Sequence, residues 1–212
     1  GLSAESIFWR LAVEDIQNAA DLFLPVYERT NKKDGYVSLE VNPLYANDTD
    51  ATIQEAKKLW NLVDRPNLMI KIPATVEGLP AITQCIADGI NINVTLIFSI
   101  ERYGEVIDAY LNGLEKRLNA GNDVSSVASV ASFFVSRLDT KIDGLLENLA
   151  HEGKFSQERL DELTGRAAVA NARLAFRLFE DRFFDHRFQA LKNRGAQIQR
   201  PLWASTSTKN PK

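Results

Sequence analysis

A lysine inside an otherwise apolar strand offers more chemistry than any other residue in this sequence. It lies in Asn67-Leu-Met-Ile-Lys-Ile-Pro-Ala-Thr75, bounded by Pro66 on one side and by Pro73 and the loop Val76-Glu-Gly78 on the other. The shortness of the run and its punctuation predict a buried strand. Side chains alternate across a strand, so Leu68, Ile70 and Ile72 share one face while Met69, Lys71 and Pro73 share the other. A cation among apolar neighbours costs free energy unless something there uses it. The competing reading is that Lys71 snorkels from a strand end, its stem packed and its ammonium in water. Two further runs alternate in the same way. Tyr36-Val-Ser-Leu-Glu-Val-Asn-Pro43 sets Ser38, Glu40 and Asn42 opposite Val37, Leu39 and Val41. Asn91-Ile-Asn-Val-Thr-Leu-Ile-Phe98 sets Asn91, Asn93, Thr95 and Ile97 opposite Ile92, Val94, Leu96 and Phe98.

If the polar faces of these strands point to one place, Glu40, Lys71, Asn93 and Thr95 converge. A neutral amine adds to a carbonyl to give a carbinolamine and then a Schiff base, and withdrawal from water favours the neutral form. Forming and collapsing an imine needs proton transfers, which Glu40 supplies directly or through one water. Asn93 and Thr95 would orient that water or the substrate hydroxyls. The alternative is a Glu40–Lys71 ion pair that merely holds adjacent strands. Such a pair often contributes little net stability against an apolar replacement, which favours the chemical reading. No glycine-rich phosphate loop is present, so Arg137, Lys209 and the Ser/Thr run 205–208 are the anion-binding candidates.

Composition narrows the class. The chain has 212 residues, 45 % of them hydrophobic, with 25 Lys and Arg against 28 Asp and Glu. This is an ordinary globular, mildly acidic balance without a basic block, which argues against nucleic acid as a partner. No apolar run approaches the length of a membrane span and no signal-peptide pattern opens the chain, so a cytoplasmic location is expected. Cys85 is the only cysteine and sits in a helical pattern, where a small core residue is expected rather than a nucleophile. His151 and His186 are too far apart in sequence to suggest a metal site.

The elements that must position these residues alternate. Residues Ala4 to Tyr27 show helical spacing and predict one or two helices. The Ser38/Glu40 strand follows, then a helix from Asp48 or Thr49 to about Val63. Next come the lysine strand, a helix over Gly78 to Asp88 ended by Gly89, and the Asn93/Thr95 strand. Ser99 caps a long helix from about Ile100 to Ala120. A fourth strand covers Ser129 to Ser136, a helix runs from about Thr140 to Leu149, a charged helical region covers Ser156 to Phe184, and a last strand covers Arg200 to Ser205. Strands separated by helices imply a parallel sheet with right-handed crossovers. A doubly wound sheet would need strands apolar on both faces. Here one face of each strand is polar, with Ser132 adding to Ser38, Glu40, Lys71, Asn93 and Thr95. That pattern suits the interior of a (β/α)8 barrel, whose sites lie at the C-terminal ends of its strands.

Three ordered motifs then resemble the transaldolase family: Ile70-Lys-Ile-Pro-Ala-Thr75, Gly89-Ile-Asn-Ile-Asn-Val-Thr-Leu-Ile-Phe-Ser99 and Trp203-Ala-Ser-Thr-Ser-Thr-Lys-Asn-Pro211. The helix-rich stretch before the last strand is similar to that of the longer bacterial subfamily. The resemblance implies an α/β fold of the TIM-barrel type, of which residues 1–212 would be a single partial domain holding about five βα units, the third to seventh strands. It implies Lys71 as the Schiff-base lysine and Glu40 as the acid/base acting through a water held by Asn93 and Thr95. It also implies Ser132, Phe134 and Arg137 as substrate-pocket residues, with Arg137 on the sugar phosphate, Lys209 as the second phosphate cation and Ser205 among the substrate-binding residues. No metal or organic cofactor is implied, and the substrates would be sugar phosphates. The expected reaction is transfer of a dihydroxyacetone unit from sedoheptulose 7-phosphate to glyceraldehyde 3-phosphate in the pentose phosphate pathway. A Schiff-base aldolase that releases free dihydroxyacetone, or an inactive polypeptide, is the alternative. Gly1 in first position and Met69 as the only methionine give the expectation of an internal stretch of a longer enzyme.

Overall fold

Capped amphipathic segments and short β-branched runs take turns along the chain, and the fold follows that rhythm. The computed structural model describes residues 3–206. Helix α1 (Ala4–Arg29) is a single helix of 26 residues whose first turn is capped by Ser3, which accepts a hydrogen bond from the Ser6 N–H. Strand β1 (Val37–Glu40) is shorter than the alternating run, because Pro43 opens a 3-10 turn in which the Asn42 side chain accepts from the Leu44 N–H. Helix α2 (Thr49–Val63) is capped by Asp48, and strand β2 (Leu68–Pro73) carries the lysine. Helix α3 (Gly78–Ala87) leads to strand β3 (Ile92–Ile97), and Ser99 caps helix α4 (Ile100–Asn119). After strand β4 (Ser129–Phe134) come four helices, α5 (Ser136–His151), α6 (Gln157–Leu163), α7 (Ala167–Phe183) and α8 (His186–Lys192), before strand β5 (Arg200–Ala204).

The five strands among the described residues run parallel, in the spatial order β1-β2-β3-β4-β5. A doubly wound sheet reverses its strand order at a switch point, whereas a barrel adds each strand beside the last. The strictly sequential order is therefore that of consecutive βα units of a barrel. One face of the sheet packs on helices: Leu39, Ile70, Ile72, Ile92, Val94, Ala131 and Phe133 form one core with Leu59, Ile82, Ile86, Val106 and Tyr110. Fully burying such a side chain stabilises by about 1.5–3 kcal/mol, so this face fixes the register of every strand. Cys85 is buried in the same core. The other face holds a small apolar floor of Tyr36, Met69, Ala128 and Val130 near the strand starts. No helix among the described residues is long and apolar enough to cross a membrane.

Strand β3 departs from the expected alternation. Val94 pairs with Ala131 and Ile97 with Phe133, so three residues of β3 span two of β4. Leu96 takes a left-handed backbone with φ 59°, and its side chain is 38 % exposed, while Ile97 is fully buried. The expectation that Leu96 and Phe98 face the helices with Ile97 opposite is thus reversed. The cause is a β-bulge, which inserts one residue and switches the faces beyond it.

Candidate active site

Register places the lysine between its partners. Glu40 of β1 lies opposite Lys71 of β2, and Lys71 lies opposite Asn93 of β3. Three adjacent strands thereby carry a carboxylate, an amine and an amide abreast on the face away from the helices. Lys71 Nζ stands 3.3 Å from Glu40 Oε2, with the two side chains 29 % and 43 % exposed. A pair so exposed adds little to stability. The strand continues beyond Lys71 to Pro73, so the lysine does not snorkel from a strand end.

Asn93 is held from both sides. Its Nδ2 donates to Ser38 Oγ at 3.0 Å, and Ser132 Oγ on β4 donates to its Oδ1 at 2.7 Å. Ser38, Asn93 and Ser132 together form a polar line that runs diagonally across the sheet and passes through Lys71's row at Asn93. Ser38 was countable among the inward polar residues, but nothing in the sequence marks it as the partner of Asn93. Thr95 lies opposite Pro73, one step further along β3, and its Oγ1 is buried with no hydrogen-bond partner among the described residues. A buried unpaired hydroxyl costs on the order of 1–3 kcal/mol, and such exceptions mark places where a water or ligand is used.

The expected pocket residues of β4 and β5 meet at a second place. Ser132 and Phe134 share a face, roughly 7 Å apart along the strand. The Phe134 ring has the Arg137 guanidinium carbon 5.0 Å from its centroid, and its centroid lies 5.2 Å from that of the Phe98 ring. Phe98 is a rim residue that strict alternation hides, because the bulge at Leu96 has no glycine to signal it. Arg137 is exposed, in the first turn of α5, and forms no ion pair among the described residues. Ser205, also in left-handed backbone at φ 56°, is tied to the start of that helix. The Ser136 N–H donates to the Ser205 carbonyl at 3.0 Å, and the two hydroxyls are 2.9 Å apart. The exposed Arg137 guanidinium at the positive end of the helix dipole favours an anion, although the Ser136 and Leu138 N–H groups are already taken by the Ser205 and Val135 carbonyls. Lys209, the other anion candidate, lies outside the described residues.

The chain that sets Glu40, Lys71 and Asn93 abreast on three sequentially ordered parallel strands has close relatives. The sequence profile of the transaldolase/fructose-6-phosphate aldolase family matches residues 1–212. The chain belongs to that family. It is 54 % identical to the transaldolase of Acidothermus cellulolyticus over 211 residues, covering 100 % of this chain and 55 % of that protein. It is 55 % identical to the transaldolase of Thermobifida fusca over 211 residues, covering 100 % of this chain and 56 % of that protein. The transaldolase of Mycolicibacterium smegmatis is 54 % identical over 211 residues, again with 100 % of this chain and 55 % of the relative covered. The chain therefore spans about half the length of these curated relatives. Among the described residues of this transaldolase-family chain, no group of three or more His, Cys, Asp or Glu side chains is placed to hold a metal ion.

Proposed function

We propose that this chain carries the catalytic core of a transaldolase, an enzyme that moves a dihydroxyacetone unit between sugar phosphates through a Schiff base on Lys71. The observation that carries the reading is the amine of Lys71 set 3.3 Å from a carboxylate and abreast of a clamped asparagine, in a chain whose relatives are named transaldolase.

The neutral amine of Lys71 attacks the C2 carbonyl of a ketose phosphate such as sedoheptulose 7-phosphate, and the C–N bond forms as the carbonyl oxygen takes a proton. Loss of water from the carbinolamine gives the imine, with Glu40 moving the protons directly or through a water. The C4 hydroxyl gives its proton to Glu40, directly or through the water, as the C3–C4 bond breaks, which releases erythrose 4-phosphate and leaves the three-carbon unit on Lys71 as an enamine. Its carbon then adds to the aldehyde of glyceraldehyde 3-phosphate, and hydrolysis of the new imine frees fructose 6-phosphate and the lysine. Thr95 Oγ1 and the second N–H of the Asn93 amide are the groups available for the water and the substrate hydroxyls. Arg137, Ser205 and the start of α5 receive the phosphate, with Phe134 lining the path between. No metal or organic cofactor enters any of these steps. A cytoplasmic setting fits the single, buried cysteine, which leaves no disulfide to form within the chain.

Borohydride reduction with fructose 6-phosphate tests the reading in the product of the complete reading frame. A covalent adduct on Lys71 is expected, and Lys71→Arg should abolish it, because a guanidinium is not deprotonated in proteins. An adduct on Lys57, Lys58 or Lys141 instead would overturn the assignment. Transfer to erythrose 4-phosphate, rather than release of free dihydroxyacetone, separates a transaldolase from a simple aldolase.

A further inference from the structure

The bulge in β3 sits between the two halves of the candidate site. We propose that Leu96 is a positioning residue: its left-handed backbone swings Phe98 onto the rim that Thr95 already faces, where Phe98 braces Phe134 and, through it, Arg137. The proposal rests on the Schiff-base reading above.

Without the inserted residue, Ile97 would follow Thr95 on the inward face and Phe98 would turn into the helix layer. With it, Ile97 is fully buried in the core, and the Phe98 ring stands 5.2 Å from Phe134. Leu96 itself is outside that core and 38 % exposed, so packing does not explain its conformation. A leucine at φ 59° is strained backbone that persists only where the surroundings impose it. The chain is tied on both sides of the strained residue. Before it, the Thr95 carbonyl accepts from the Ala74 N–H at the end of β2, at 2.9 Å. After it, the Phe98 carbonyl accepts from Asn171 Nδ2 on α7 at 2.8 Å. Bulges beside active sites re-aim side chains in this way. Here one backbone setting, next to the Thr95 hydroxyl, turns Phe98 to the aromatic wall beside the guanidinium.

Three variants in the product of the complete reading frame test this, each assayed for kcat, for KM with fructose 6-phosphate and for borohydride trapping. Leu96→Gly removes the side chain but keeps access to left-handed backbone, so kcat should stay within about threefold of the parent. Leu96→Val also shortens the side chain, but its β-branch opposes that backbone. Its kcat should fall by roughly 10²-fold, the size of effect that a misplacement of about 1 Å produces. Phe98→Ala should raise KM by about two- to thirty-fold, the range of a cation–aromatic contact, with kcat within about threefold. A purely structural role would lower the thermal midpoint of these variants without this split between kcat and KM. Equal kcat in Leu96→Val and Leu96→Gly, with normal trapping on Lys71, overturns the role of Leu96 alone. If Leu96→Val fails to fold, Phe98→Ala decides, and an unchanged KM overturns the proposal. A parent protein that traps nothing on Lys71 overturns the Schiff-base reading itself, and this proposal with it.

Discussion

Ser132 Oγ donates to Oδ1 of Asn93 across 2.7 Å, although the two are not register partners. Asn93 pairs with Val130, and Ser132 lies two residues further along β4, so the bond runs diagonally over the sheet. With Ser38 receiving the opposite end of the amide, the orientation of Asn93 is fixed by two strands that it does not belong to. One of its two N–H groups remains for a ligand. The amide is positioned before substrate arrives, which lowers the reorganisation required during reaction.

Ser132→Ala should therefore cost activity out of proportion to its size. It leaves a buried carbonyl oxygen without its donor, worth on the order of 1–3 kcal/mol, or roughly five- to a hundredfold in kcat/KM. A double-mutant cycle with Asn93→Ala should give a coupling of roughly 0.5–3 kcal/mol. Strict additivity would show that the hydroxyl does not act through Asn93.

Glu40→Gln keeps the shape of the side chain and removes its ability to exchange a proton with the amine 3.3 Å away. The fold should persist, because a pair this exposed contributes little stability. Turnover should fall by roughly 10²–10⁴-fold, the usual worth of a positioned acid or base. A variant that turns over normally would reduce Glu40 to a neighbour of Lys71.

The inward row was legible because the strand period is two and polar residues interrupt it at matched places. Glu40, Lys71 and Asn93 could be assigned to one face from sequence, and sequential parallel pairing then brought them abreast. The second half of the site was harder to see. Phe98 sits beyond a bulge that carries no glycine or proline, so its face is decided by the ties from Ala74 and Asn171, which are distant in sequence. Ser38 could be placed inward, but its bond to Asn93 crosses a whole strand, and no local pattern records such a bond. The early end of β1 was signalled by Pro43, whereas the continuity of α1 was not, since its apolar spacing allowed a break.

Cys85 offers a pH test of the core. Burial pushes its thiol up from 9.0 to about 12, because the thiolate would lose its hydration among Ile82, Ile86 and Leu59. The folded state thus favours the neutral thiol. That contribution to stability is complete below about pH 9 and is lost as the pH rises from 9 towards 12. Urea midpoints measured from pH 8 to 11 should accordingly fall more steeply for the parent than for Cys85→Ala. Native protein at pH 8 should also resist iodoacetamide until it is unfolded. Parallel pH curves, or rapid native alkylation, would contradict the burial of this thiol.

The two outer strands give the last expectation. Among the described residues, strands β1 and β5 are the edges of the sheet, and each has a row of backbone N–H and C=O groups without a neighbouring strand. Beside β1, a groove lined by Phe8, Trp9, Leu39, Val41 and Pro43 adds apolar surface. On β5, Leu202 and Trp203 are 46 % and 38 % exposed. Open edges with apolar side chains are templates for pairing with other chains. Residues 1–212 expressed alone should therefore self-associate at micromolar concentration, visible as a broad, concentration-dependent sedimentation profile. Leu202 lies opposite Ser132, on the inward face of its strand, where a charge blocks edge pairing without entering the helix-packed core. Leu202→Lys should shift the profile towards monomer. A parent chain that stays monomeric at tens of micromolar would show that these edges are protected by something other than a neighbouring strand.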